Sequence, residues 1–114
     1  MILLSFNIIH PEISEKNVGL VSEEELLKIT SEGTLKILEI LEKYMLQATF
    51  FVEISLVEKL PELLKIIVKK GHELSLLNKN SYQSEIEKAK LFAEELTGKS
   101  VRGLRQLPEK RVNS

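Results

Sequence analysis

The 114-residue chain contains no cysteine, which excludes a disulfide framework and any thiolate metal site. Its stability must come from packing or from assembly. Glycine (5) and proline (3) are scarce, no low-complexity tract occurs, and 43% of residues are hydrophobic against 29% charged. That balance excludes a disordered, collagen-like or coiled-coil chain. Neither sign of charge dominates: 16 basic and 17 acidic residues leave a net charge of −1, so no nucleic-acid partner is expected. Long hydrophobic runs are also lacking. The apolar start, residues 2–9, has no basic residue before it and no small-residue cleavage site after it, and so does not read as a signal peptide. It is far shorter than the roughly 20 residues that span a bilayer, so no membrane association is expected and the expected location is cytoplasmic. The length fits one domain over residues 1–114, since domains cluster around roughly 100–150 residues.

What is present is an alternation of two periodicities. Residues 2–9, bounded by Pro11, form a near-continuous β-branched and aromatic run that fits a strand covered on both faces. From Ser22 to Met45, apolar residues recur at three- and four-residue spacing between Glu and Lys, predicting an amphipathic helix interrupted near Gly33. Ser22, with Glu25 three positions on, has the spacing of a capping box. Ala48–Val52 reads as a second strand, followed by Ser55 as a helix N-cap. The second helix carries Leu56, Val57, Leu60, Leu63, Leu64, Ile67 and Val68, with Pro61 opening a second helical segment and Gly71 as the stop. His72–Leu77 predicts a third strand. Ile86, Ala89, Ala93 and Leu96 form the stripe of a third helix ended by Gly98, and Val101–Arg105 a fourth strand. The order β-α-β-α-β-α-β implies parallel pairing through right-handed crossovers. The expected fold is α/β, either an open sheet or a four-stranded half of a β/α barrel, whose complete form takes about 250 residues.

The segments Leu4-Ser5-Phe6-Asn7, Gly33-Thr34-Leu35-Lys36-Ile37-Leu38, Lys43-Tyr44, Ala48-Thr49-Phe50-Phe51-Val52, Pro61-Glu62-Leu63, Gly71-His72-Glu73-Leu74, Leu96-Thr97-Gly98-Lys99 and Val101-Arg102-Gly103-Leu104-Arg105 follow one another along the chain. As an ordered series they resemble the polysaccharide deacetylases of carbohydrate esterase family four. The resemblance implies a deacetylase-like barrel and a water on a divalent metal such as zinc that attacks the acetamide of an N-acetyl sugar. It further implies an Asp base, an Asp-His-His metal cage and an Arg that orients the base.

The base position falls on Asn7, and the second acidic position within Ile8 and Ile9. The two histidine positions fall on Leu77 and Ser81. Arg105 matches the orienting Arg, but the Pro expected two places later stands at Pro108 rather than at Leu107. An amide cannot take up the proton, and Ile and Leu cannot bind a metal. No catalytic residue, metal ligand or cofactor is therefore expected, and the protein reads as a pseudoenzyme.

Among the residues that remain, His10, Glu12, His72 and Glu73 are the only conceivable ligand set. However, His10 follows the end of the first strand and His72 opens the third, which places them at opposite ends of a parallel sheet. Solvent-facing or capping roles suit both histidines better. Strand alternation puts Ser5, Asn7, Thr49, Phe51, Glu53, Glu73, Ser75, Leu77, Gly103 and Arg105 on one face, and Ile2, Leu4, Phe6, Ile8, Phe50, Val52, Leu74 and Leu76 on the face toward the helices. The first set forms either a ligand groove built on His10, Glu53, Glu73 and Arg105, with Arg105 bonded to Asn7 or paired with Glu53, or an unfinished wall that needs cover. Self-association supplies that cover most simply, so a homodimer is expected, acting by binding a carbohydrate or a protein. The alternative is a divergent hydrolase of sugar amides or esters that uses Glu53, Glu73, His10 and Arg105 at a dimer cleft. A remnant with no selected role is a third reading.

Overall fold

In the computed structural model, which describes residues 3–10 and 22–107, four strands and four helices alternate. They are β1 (Leu4–Ile8), α1 (Glu23–Lys43), β2 (Ala48–Glu53), α2 (Ile54–Val57), α3 (Pro61–Lys69), β3 (Glu73–Asn78), α4 (Gln83–Thr97) and β4 (Leu104–Gln106). The strands form one sheet in the order β1-β2-β3-β4. Every neighbouring pair is parallel, with Phe6 opposite Phe50, Phe50 opposite Leu74, and Leu76 opposite Leu104. Because strands are added in sequence order and in one direction, right-handed crossovers place all the helices on the same face. The sheet is wound in one direction only, and among the described residues no helix lies on the other face.

The covered face follows the alternation of the strands. Phe50 and Val52 are fully buried, and Ile8, Leu74 and Leu76 nearly so. They meet Leu38 and Leu41 of α1, Leu56 and Val57 of α2, and Leu63, Leu64 and Ile67 of α3 in one cluster. The rings of Phe6 and Phe50 stack with centroids 5.4 Å apart, a contact that adds about 1 kcal/mol to the burial itself. Ile2 lies outside the described residues.

Local signals fix most of the boundaries. Ser22 caps α1, its Oγ accepting from the Glu25 N–H at 3.1 Å. Pro61 opens α3, where its missing N–H costs nothing. Gly71 and Gly98, both at positive φ, follow α3 and α4, the conformation that glycine adopts without steric cost.

Three expectations are corrected. Helix α1 runs unbroken through Gly33: a mid-helix glycine costs only about 1 kcal/mol, less than the burial of Thr34, Leu38 and Leu41 on the turns that follow. Ser55 is not an N-cap; it lies exposed inside α2, which starts directly from β2 at Ile54 with Glu53 in the capping position. The fourth strand covers Leu104–Gln106 rather than residues 101–105, because Gly103 at φ 84° is not extended backbone.

Candidate functional site

On the open face the register sets three rows: Ser5–Thr49–Glu73, then Asn7–Phe51–Ser75, then Glu53–Leu77–Arg105. Arg105 ties the outer strands together. Its Nη1 donates to Asn7 Oδ1 at 2.8 Å and its Nη2 to Ser5 Oγ at 3.3 Å, while the guanidinium carbon stands 3.8 Å from the centroid of the Phe51 ring. Three strand steps amount to about 14 Å in a flat sheet, so the side chain is laid along the face over β2 to reach β1. Of the two partners expected for Arg105, Asn7 is the one observed. Glu53 is not paired with it: Glu53 Oε2 instead accepts from the backbone N–H of His10 at 2.6 Å.

The groove expected from His10, Glu53, Glu73 and Arg105 is only partly assembled. His10 and Glu53 meet at the C-terminal end of β1 and β2, joined by Glu23 and Lys59. The His10 Nε2 is 3.6 Å from Glu23 Oε1, and Lys59 Nζ is bonded to the same carboxylate. The Lys59 hydrogen bond, reinforced by its charge and by His10, lowers the Glu23 pKa below the usual carboxylate value. Glu73 is elsewhere, at the start of β3, accepting from Thr49 Oγ1 at 3.2 Å. Thr49 lies opposite Glu73, and Glu53 follows Thr49 by four residues on β2, a rise of about 13 Å. The two carboxylates thus have different partners, Glu53 the His10 N–H and Glu73 the Thr49 hydroxyl.

At the C-terminal ends of β3 and β4, Asn78 Nδ2 donates to Gln106 Oε1 at 2.9 Å and Asn78 Oδ1 accepts from the Ser81 N–H at 2.9 Å. Sequence reading passed over this amide lock, as it did Glu23 and Lys59. An Asn and a Gln on different strands carry no spacing signal, and only the register brings them together.

The histidines separate as expected, His10 after β1 and His72 before β3. Glu12 lies outside the described residues. His72 is not solvent-facing: it is 6% exposed, its Nδ1 accepts the Ala48 N–H at 3.1 Å, and its ring meets Phe50 edge-on. Burial pushes its pKa below the ordinary imidazole value, and the Lys70 charge adds to that. Among the described residues no group of three or more His, Cys, Asp or Glu side chains is placed to hold a metal ion, and no helix is long and apolar enough to cross a membrane.

The polysaccharide deacetylase family model matches residues 12–108. The chain belongs to the polysaccharide deacetylase family. No curated protein and no solved structure matches it. The match begins after β1, so Asn7, Ile8 and Ile9 precede it, whereas Leu77, Ser81 and Arg105 lie within it; Pro108, its last residue, lies outside the described residues.

A divalent metal of the kind the deacetylase resemblance implies does not fit the side chains at these positions. Ile8 is buried in the helix-side core, and Leu77 is fully buried on the open face. Ile9 offers no donor atom, and Ser81 has only a hydroxyl. Asn7, where the resemblance places the base, is a neutral amide already accepting from Arg105. The arrangement can therefore offer hydrogen bonds and one positive charge to a ligand. Two of the five guanidinium N–H groups suffice for Asn7 and Ser5.

Proposed function

We propose that this deacetylase-family domain is catalytically silent and acts by binding, as a homodimer whose open sheet faces supply the recognition surface for a carbohydrate or a protein. One observation carries the reading: Arg105, at the position of an orienting arginine, holds an amide at Asn7 where the reaction needs a carboxylate. An orienting group without a base has no proton transfer to support. Polar groups on the open face, namely Ser5, Asn7, Thr49 and Arg105, are suited to hydrogen-bond a hydroxyl-rich ligand or a peptide backbone.

The half-barrel reading is supported by stagger. Ile8, Val52, Leu76 and Leu104 share one register row, so Arg105 is level with the residue after Ile8. Its guanidinium nevertheless contacts Asn7 and Ser5, two and four residues earlier. An offset of about three residues over three strand steps matches the roughly one residue per strand of an eight-stranded barrel with shear 8. Two copies with their outer strands β1 and β4 joined reciprocally then complete eight strands about a two-fold axis.

Calorimetric titration with Zn²⁺ tests the silent-site reading: no stoichiometric uptake is expected, and a one-to-one isotherm at micromolar or lower Kd contradicts it. Light scattering on a sizing column tests the assembly. A mass of two chains is expected, and a monomer at high concentration removes the dimer from the account.

A further inference from the structure

At the opposite end of the sheet from Asn7, Leu77 and Ser81 lies a cleft of about 420 Å³, between the start of β3 and the segment joining α4 to β4. That volume falls within the range of small-molecule sites. Leu74 and Val101 give it apolar wall, and His72, Lys99, Ser100 and Arg102 give it polar wall. Its charge is unbalanced. Lys99 and Arg102 form no side-chain ion pair among the described residues, and both are exposed. The one acid on the lining, Glu73, is hydrogen-bonded to Thr49, and the nearby Glu94 accepts from the Val101 N–H at 2.9 Å.

His72 adds a fixed donor. Because Nδ1 accepts the Ala48 N–H, the neutral ring carries its proton on Nε2. That N–H has no partner among the described residues although His72 is 6% exposed. No completely buried side-chain nitrogen or oxygen there lacks a partner, so Nε2 reaches open space. The ring also borders a smaller cleft of about 290 Å³ beside Gln47 and Lys70, but Lys70 is already paired with Glu42 at 2.7 Å. Uncommitted positive charge is therefore on the Lys99–Arg102 side.

We propose that this cleft binds a small oxyanion, a phosphate or carboxylate group carried on a compact organic body. Arg102 and Lys99 supply charge, and Arg is matched to planar or tetrahedral oxyanions by its fork of donors. The His72 Nε2–H and the Ser100 hydroxyl supply neutral hydrogen bonds, and Leu74 and Val101 meet the apolar part. The site does not depend on the reading of the open face.

Inorganic phosphate and succinate, each titrated into the full chain at constant ionic strength and followed by amide chemical shifts, distinguish the two oxyanion classes. Saturable shifts centred on Gly71, Ser100 and Gly103 are expected with at least one of them, and the tighter binder names the class. In the double variant Lys99→Gln/Arg102→Gln the apparent affinity is expected to fall about tenfold or more, since both charge-assisted hydrogen-bond donors are removed. Both substitutions are on exposed side chains, so the variant should fold, and its unshifted core amides verify that. The absence of saturable shifts with either anion overturns the proposal, as does unchanged affinity in the double variant, or shifts centred on Asn7 and Ser81 instead.

Discussion

On the helix-covered face of the sheet, Phe6, Ile8, Phe50, Val52, Leu74 and Leu76 pack into a continuous apolar core. On the open face, a single guanidinium laid over Phe51 joins β4 to Asn7 and Ser5 of β1. The first face is held by burial, which is non-directional and summed over many contacts. The second is held by a few directional bonds between half-exposed groups. Fold stability therefore resides on the covered face, and the polar side chains Ser5, Asn7, Thr49 and Arg105 lie on the other.

If that division holds, substitutions on the two faces should differ in size. Phe50→Ala removes a fully buried ring that contacts both Phe6 and His72, and a loss of about 3–5 kcal/mol is expected in denaturant unfolding. A loss under about 1 kcal/mol would mean that the covered face does not carry the fold. Arg105→Ala removes two hydrogen bonds and the contact with Phe51 but leaves the core untouched; about 1–2 kcal/mol is expected. Arg105→Lys should restore little of it, because an ammonium cannot reproduce the planar fork. A cost equal to that of Phe50→Ala would erase the contrast between the faces.

Smaller effects sharpen the picture away from the sheet. Gly33 lies exposed within α1, with nothing within 4 Å of an added Cβ. Gly33→Ala should raise stability by about 1 kcal/mol or less, read as a higher Tm, and destabilisation would indicate that the helix needs flexibility there. The last effect depends on pH. His72 is buried neutral, with its pKa held below the ordinary 6.5 by burial and then by Lys70. The unfolded chain thus binds its proton first as pH falls. The contribution of His72 to stability is complete above about pH 6.5, where the imidazole is neutral in both states, and is lost as pH falls through the lower folded-state pKa. His72→Gln, which keeps an acceptor for the Ala48 N–H, should flatten stability over that range. An unchanged pH profile in the variant would assign the slope to other groups.

The sequence made the covered face legible because period-2 alternation in the strands and three- and four-residue spacing in the helices both report burial. Pro61, Gly71 and Gly98 likewise marked boundaries through backbone chemistry. Gly33 misled for an energetic reason: a local propensity cost was outweighed by the burial of Leu38 and Leu41 on the same helix. Ser55 misled because no linker residue intervenes between β2 and α2, which leaves Glu53 in the capping position and its carboxylate on His10.

The open face was half legible. Alternation identified which side chains share it, and the Arg105–Asn7 contact was among the pairings it allowed. Alternation does not say how far apart along the strands those side chains stand, and so it grouped Glu53 with Glu73, which the register separates by about 13 Å. The Asn78–Gln106 and Glu23–Lys59 contacts join residues from separate elements. No periodic signal encodes such pairs.

The proposed catalytic silence of this deacetylase-family domain is directly measurable. Acetate release from an N-acetylglucosamine oligomer, measured with and without added Zn²⁺ on the purified chain and on Asn7→Ala, tests it most directly. The account predicts no release above the buffer rate under any of these conditions. Zinc-dependent release by the unmodified chain that is lost in Asn7→Ala would contradict it.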